Sequence, residues 1–273
     1  MERKVYAMFF SGTGTTEKVV TSIGANIASE LGCELDIFNF TTPQTRKEGK
    51  IFSKDDIVVI GTPTYAGRVP NVLLKYLDTL EGNGALAIPV VLFGNRNYDD
   101  SLIELRNIME KDGFHTIAAG AFVGAHAFSY VLAKGRPDSD DMKKAQLLSS
   151  KAVEKIKSGN ICTEPIEVKG RNPIGPYYTP CGLDGKPVAI LKVRPLTKDT
   201  CTNCGICATL CPMGSINPEN PKEYIGKGIC IKCGACVKKC PVHAKYYTDE
   251  GYLSHTAALE KNFARRAEVE LFY

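Results

Sequence analysis

Eight of the eleven cysteines fall in two runs, CTNCGICATLCP (201–212) and CIKCGACVKKCP (230–241), each with the pattern Cx2Cx2Cx3CP. Every cysteine of the second run lies 29 residues after its counterpart, from Cys201 to Cys230, Cys204 to Cys233, Cys207 to Cys236 and Cys211 to Cys240. The segment is an internal duplication. Thiolates at such spacing can hold zinc, form disulfides or cage an iron–sulfur cube. A zinc site is completed by two CxxC pairs, and the third cysteine of each run would be redundant there. Disulfides belong to oxidising compartments, and the N-terminal MERKVYAMFFSGTG has an apolar run of only about six residues, too short for a signal-peptide core or a membrane span. A reducing cytoplasmic setting is expected, where cysteines more often ligate metal.

The run resembles the signature of bacterial two-cluster ferredoxins, in which the fourth cysteine crosses over to the other cluster. The resemblance implies two [4Fe–4S] clusters, one held by Cys201, Cys204, Cys207 and Cys240, the other by Cys230, Cys233, Cys236 and Cys211. Gly205 and Gly234 let the ligand loops wrap a cube with exposed N–H groups, while Pro212 and Pro241 turn the chain away. Charge fits the same picture. Residues 1–160 carry 19 basic and 19 acidic side chains, so the formal +4 sits in the remainder, with 15 and 11. Eight thiolates around two cubes add about −4 and bring that half near neutrality. Nucleic acid is therefore not an expected partner. Lys227, Lys232, Lys238 and Lys239 either offset cluster charge or steer an acidic redox partner.

Ahead of the cysteines, short β-branched apolar runs alternate with amphipathic stretches. KVYAMFF, CELDIFNF, IVVIGTP, IPVVLFG and TIAAGAFVG read as buried strands. TEKVVTSIGANIASEL, NVLLKYLDTLEG, SLIELRNIMEKDG and a stretch from Ser139 to Lys157 read as the helices between and after them, with Gly82 and Gly113 as helix stops. Right-handed crossovers make this an α/β, doubly wound, five-stranded parallel sheet, with its ligand beyond the carboxyl ends of the strands. A small α+β domain carries the cysteines.

Those carboxyl ends hold the unusual residues. SGTGTTEK follows strand one and opens a helix; N–H groups, hydroxyls and the helix N-terminus form a cradle for a dianion. It lacks the glycine spacing and following hydroxyl of GxxxxGK[ST], and Glu17 stands where GxGxxG needs its third glycine. A terminal phosphate monoester suits it, against the plainer possibility of a serine/threonine turn. GTPTYAGRVP after strand three and GNRNYDD after strand four each carry a tyrosine that can cover a flat ring.

These three loops resemble those of flavodoxins over about residues 3–158. The pattern [ST]xTGxT is matched by Ser11, Thr13, Gly14 and Thr16, with Gly12 and Thr15 at its open positions. The resemblance implies FMN, its phosphate held without a basic side chain. Thr62, Pro63, Thr64, Tyr65, Ala66 and Gly67 would line one side of the ring, and Gly94, Asn95, Arg96, Asn97 and Tyr98 the other. Arg68 and Arg96 are departures from many flavodoxins. A carbonyl of the Ala66–Gly67 turn is expected to swing toward flavin N5 on protonation, which glycine makes nearly strain-free. His126 lies near the same rim, as a proton donor, a partner contact or a structural residue.

The reading divides the chain into 1–160 (flavodoxin-like), 161–195 (a packed Pro/Gly-rich connector, since Tyr177 and Tyr178 would be costly to expose), 196–250 (the cluster domain) and 251–273 (C-terminal helix and tail). Leu259, Phe263 and Ala267 are expected on one face of that last helix. Cys33 reads as core, and Cys162 and Cys181 lack ligand spacing.

As a whole the chain resembles flavodoxin–ferredoxin fusion proteins of anaerobic bacteria and archaea. That implies an electron-transfer flavoprotein exchanging electrons with a soluble partner such as a ferredoxin, flavoprotein or oxidoreductase, with a homodimer possible. The competing class is a ferredoxin-fed FMN-dependent reductase of a quinone, an unsaturated compound or a flavin. Redox sensing or storage is a third class.

Overall fold

The computed structural model describes residues 3–162 and 164–273. The first half builds β1 (Lys4–Phe9), α1 (Thr15–Leu31), β2 (Glu34–Asn39), β3 (Ile57–Pro63), α2 (Asn71–Leu77), β4 (Leu86–Phe93), α3 (Ser101–Lys111), a two-residue β5 (His115–Thr116), β6 (Ala119–Val123) and α4 (Ser139–Ser158). The long strands β2-β1-β3-β4-β6 run parallel in that order. This is the flavodoxin-type doubly wound order, 2-1-3-4-5.

Alternation along each central strand feeds two cores. Val5, Ala7, Phe9, Ile57 and Val59 face α1 and α4, while Met8, Phe10, Val58, Ile60 and Val91 face α2 and α3. Gly61 brings α1 onto the sheet, because a Cβ there would run into Val20 and come within 3.0 Å of Thr16.

The helix stops differ from expectation in one case. α3 ends at Lys111 and the chain turns away through Gly113 at φ +83°, but α2 ends at Leu77, and Gly82 instead packs against Gly113 and Phe114.

The second half contains a two-stranded ribbon, β7 (Leu196–Thr197) with β8 (Lys245–Tyr246), and two single-turn helices, α5 (Ile206–Thr209) and α6 (Ala235–Lys238). The 29-residue repeat extends to the backbone: Asn203 and Lys232, Gly205 and Gly234, and Gly214 and His243 all have positive φ. Left-handed residues at matching positions bend both cysteine loops alike.

α7 (Glu250–Asn262) is capped by Asp249, whose carboxylate accepts from the Tyr252 N–H at 2.8 Å. It stops short of the expected span. Phe263 follows its end, and the tail runs back to the first domain as β9 (Glu270–Phe272), antiparallel to β6. The reason is Asn95: its amide donates to the carbonyls of Phe263 and Arg265, both at 2.6 Å, and accepts from the Ala267 N–H at 3.2 Å. β9 thus adds an antiparallel strand to the five long parallel ones, and with short β5, parallel to β4, the sheet has seven strands. Among the described residues no helix is long and apolar enough to cross a membrane.

Candidate cofactor sites

The first loop is built as an anion cradle. Thr41 at the end of β2 accepts from the Ser11 N–H at 2.8 Å, and the Ser11 hydroxyl accepts from the N–H groups of Gly14 and Glu17 at 3.1 and 3.2 Å. Gly14 begins α1 with φ +98°. Among the described residues the N–H groups of Gly12, Thr13, Thr15 and Thr16 find no acceptor, which leaves four donors at a helix N-terminus. Thr62, fully buried at the end of β3, also has an unpartnered hydroxyl.

The second loop is a tight turn in which Tyr65 and Arg68 exchange both backbone hydrogen bonds, with Ala66 at φ +50° and Gly67 at φ +77°. The expected freedom of its carbonyls is not what the fold provides. Ala66 O accepts from the Tyr178 N–H of the connector at 2.8 Å, and Gly67 O accepts from the Asp100 N–H at 3.0 Å. A Cβ on Gly67 would strike the Asp99 carboxylate. Thr64 is tied to Ser101 through their hydroxyls at 2.7 Å, and Pro63 ends β3 beside it. Arg68 is paired with the Glu104 carboxylate through Nε and Nη2, at 2.7 and 2.5 Å.

The third loop splits. Gly94 packs on the ring of His126. Asn95 is spent on the tail, and Tyr98 is buried against Phe93 with its hydroxyl donating to Glu270 of β9 at 3.1 Å. Neither side chain is free for a ligand. Sequence reasoning missed this because the capping strand lies about 170 residues away in the chain. Arg96 pairs with Asp99 and lies 4.0 Å over the Tyr178 ring, and Asn97 accepts from the Asp99 N–H. Tyr178 therefore bridges the second and third loops, a role its connector position gave no signal for.

The cysteines gather around two cavities. One is lined by Cys211, Cys230, Cys233 and Cys236 together with Tyr224 and Tyr247. The other is lined by Cys201, Cys204, Cys207 and Cys240. These are the two crossed sets. Among the described residues no three metal-ligating side chains converge on one point; a cube asks for none, because its four cysteines take four different irons. Burial pushes the Cys233 thiol up to about 12 and raises Cys230 and Cys236 as well. Thiolates there need the positive charge of iron. In the other set Cys204 is exposed. Burial raises Cys207, whereas at Cys240 burial is outweighed by N–H groups, Ala244 foremost, that leave the thiol lowered.

The first cavity abuts the first domain. A Cβ on Gly12 would lie 3.1 Å from that of Cys233, and one on Gly234 would lie 2.8 Å from the Ala127 carbonyl oxygen. Burial, reinforced by the Cys233 and Cys230 thiols, raises the Tyr65 phenol well above its ordinary value. Arg46 reaches across to the carbonyl of Pro212 at 2.6 Å. The cysteine loop is thus seated between the phosphate-type loop, the Tyr65 turn and the loop after β6. His126, in that last loop, accepts from the Phe128 N–H at 3.1 Å. Burial, then the charges of His255, Lys238 and Arg96, lowers it to about 4. Neutral at ordinary pH, with Nδ1 accepting and its one proton on Nε2, it is a poor general acid.

Residues 200–245 match the family described as 4Fe-4S dicluster domain. The chain joins a flavodoxin-like sheet to a ferredoxin-type segment. An electron-transfer role follows from that segment. Among curated proteins none matches the chain. Solved structures similar to it include a flavodoxin from the domain Archaea (16% identity, 57% of this chain and 99% of that one, TM-score 0.41). Another is the flavodoxin of Streptococcus pneumonia TIGR4 (17%, 56% and 99%, TM-score 0.40). A third is rubredoxin oxygen:oxidoreductase from the anaerobe Desulfovibrio gigas (16%, 59% and 38%, TM-score 0.42).

Proposed function

We propose that the chain is an electron carrier that moves electrons between a soluble redox partner, two [4Fe–4S] clusters and FMN. The carrying observation is the seat of the Cys233 loop on Gly12, which sets one cysteine cavity against the loop assigned to the flavin phosphate. Bound there, FMN supplies a two-electron store that can be filled and emptied singly. Ser11 to Thr16 would hold its phosphate through the free N–H groups, and Thr62 to Gly67 with the backbone of Gly94 to Arg96 would flank its ring. The cavity around exposed Cys204 is then the outer one, where a partner makes its exchange.

A reductase of small substrates needs a proton donor beside the ring. Of the candidates, His126 is held neutral by its surroundings and the phenols of Tyr65 and Tyr98 are raised by burial, so none is a ready acid, which favours the carrier.

The test is anaerobic reconstitution with iron, sulfide and FMN, followed by stopped-flow reduction at several protein concentrations. Intramolecular exchange gives a cluster-to-flavin phase whose rate is independent of concentration. A phase that scales with protein concentration, or a chain that takes up no flavin, defeats the proposal.

A further inference from the structure

The flavodoxin pattern implies a phosphate bound without a basic side chain. The fold brings one to it. Lys239 follows α6, between Cys236 and Cys240, and its Nζ lies 3.4 Å from the position a Cβ would take on Gly14. Gly14 sits amid the four free N–H groups of the cradle, at the start of α1.

The neighbouring cations are committed elsewhere. Lys18 donates to the Pro137 carbonyl at 2.9 Å. Lys238 donates to the Ser129 carbonyl and lies 3.7 Å over the Tyr130 ring. Arg46 is tied to Pro212. Among the described residues the Lys239 ammonium has no hydrogen-bond or carboxylate partner. The cradle itself offers only partial charges, and α1 carries acidic Glu17 in its first turn. A phosphate monoester brings about −1.5 to −2 charges at neutral pH, more than N–H dipoles alone balance.

We propose that Lys239 is the counter-cation of the flavin phosphate, so that the iron–sulfur half of the chain selects a phosphorylated flavin over an unphosphorylated one. This rests on the FMN reading above. A lysine meets a phosphate as a point charge on a flexible stem, so its contribution is electrostatic and weakens with salt. Because Lys239 is fixed between two ligand cysteines, the charge reaches the loop only when that cysteine run is folded against the first domain.

The experiment uses the full chain with its clusters in place and its flavin removed, in wild type, Lys239→Gln and Lys239→Arg, compared at equal iron content. Dissociation constants for FMN and riboflavin are read from flavin fluorescence at low and moderate salt. Lys239→Gln should bind FMN about three- to fivefold more weakly, bind riboflavin as wild type does, and show a flatter salt dependence. Lys239→Arg should retain most of the FMN affinity. An unchanged FMN constant in Lys239→Gln overturns the proposal, as does an equal loss for both flavins, which would place Lys239 in the support of the ring or the fold. Wild-type protein that binds FMN no tighter than riboflavin overturns the phosphate site itself, and the role of Lys239 with it.

Discussion

Gly12 and Cys233 meet across the junction of the two halves, with the would-be Gly12 Cβ 3.1 Å from the Cys233 Cβ and 3.3 Å from its carbonyl oxygen. A Cβ at position 12 makes the cysteine loop give by a few tenths of an ångström, and a branched side chain by more. Gly12→Val should lower the melting midpoint by roughly 3–8 °C, the range for overpacking by about 1–3 kcal/mol. It should also lose flavin while keeping its iron. Differential scanning calorimetry and cofactor analysis measure both; an unaltered midpoint with full flavin content would show that the contact is not made in solution.

The two cysteine sets should respond unequally to loss of a ligand. Cys204 is exposed in the outer set, far from any flavin loop in its lining. Cys204→Ala should lose about half of the iron and leave flavin affinity as it was. Cys233→Ala should lose a similar share of iron and weaken flavin binding too, since its loop rests on Gly12 and Tyr65. Iron, sulfide and flavin analysis after anaerobic reconstitution decides it. Identical flavin contents in the two variants would mean that the halves are energetically independent.

What the sequence made legible were the patterns with short-range causes. The alternation of buried strands and helices, the hydroxyl-rich turn from Ser11 to Thr16 and the 29-residue repeat all act over a few residues or by exact recurrence. The features that escaped were set by distant chain. Asn95 and Tyr98 read as ring-facing until the tail comes to lie on them, and the Ala66 carbonyl reads as free until Tyr178 takes it. The end of α7 belongs to the same class. Helical spacing favours continuation through Ala267, but the Asn95 amide offers the tail backbone better partners than another turn of helix.

Asn95 should accordingly matter more to stability than a loop residue usually does. Its φ is +72°, so Asn95→Gly keeps the backbone comfortable and removes only the amide. The partly buried carbonyls of Phe263 and Arg265 and the buried Ala267 N–H then lose their partner, at a cost of about 1–3 kcal/mol. Urea unfolding should show that loss, and limited proteolysis should trim residues 263–273 from the variant before wild type. Equal stability would mean that the tail is held by β9 pairing alone.

Acid should unfold the protein partly through half-buried His126 and buried His255. His126 is lowered from 6.5 to about 4, with burial as the chief cause, and burial lowers His255 as well. The unfolded chain takes up these protons at higher pH than the folded one. The stabilising contribution is therefore whole above the unfolded value of 6.5 and is lost as pH falls toward the folded value of about 4. Carboxylates add a loss of their own at lower pH, so the comparison is between wild type and His126→Phe, in which they cancel. Over that window the wild-type unfolding free energy from urea titrations should fall with a slope steeper by up to about one proton than that of the variant. Parallel slopes would mean that His126 titrates alike in both states, and that the Phe128 N–H and the Gly94 contact do not bury it in solution.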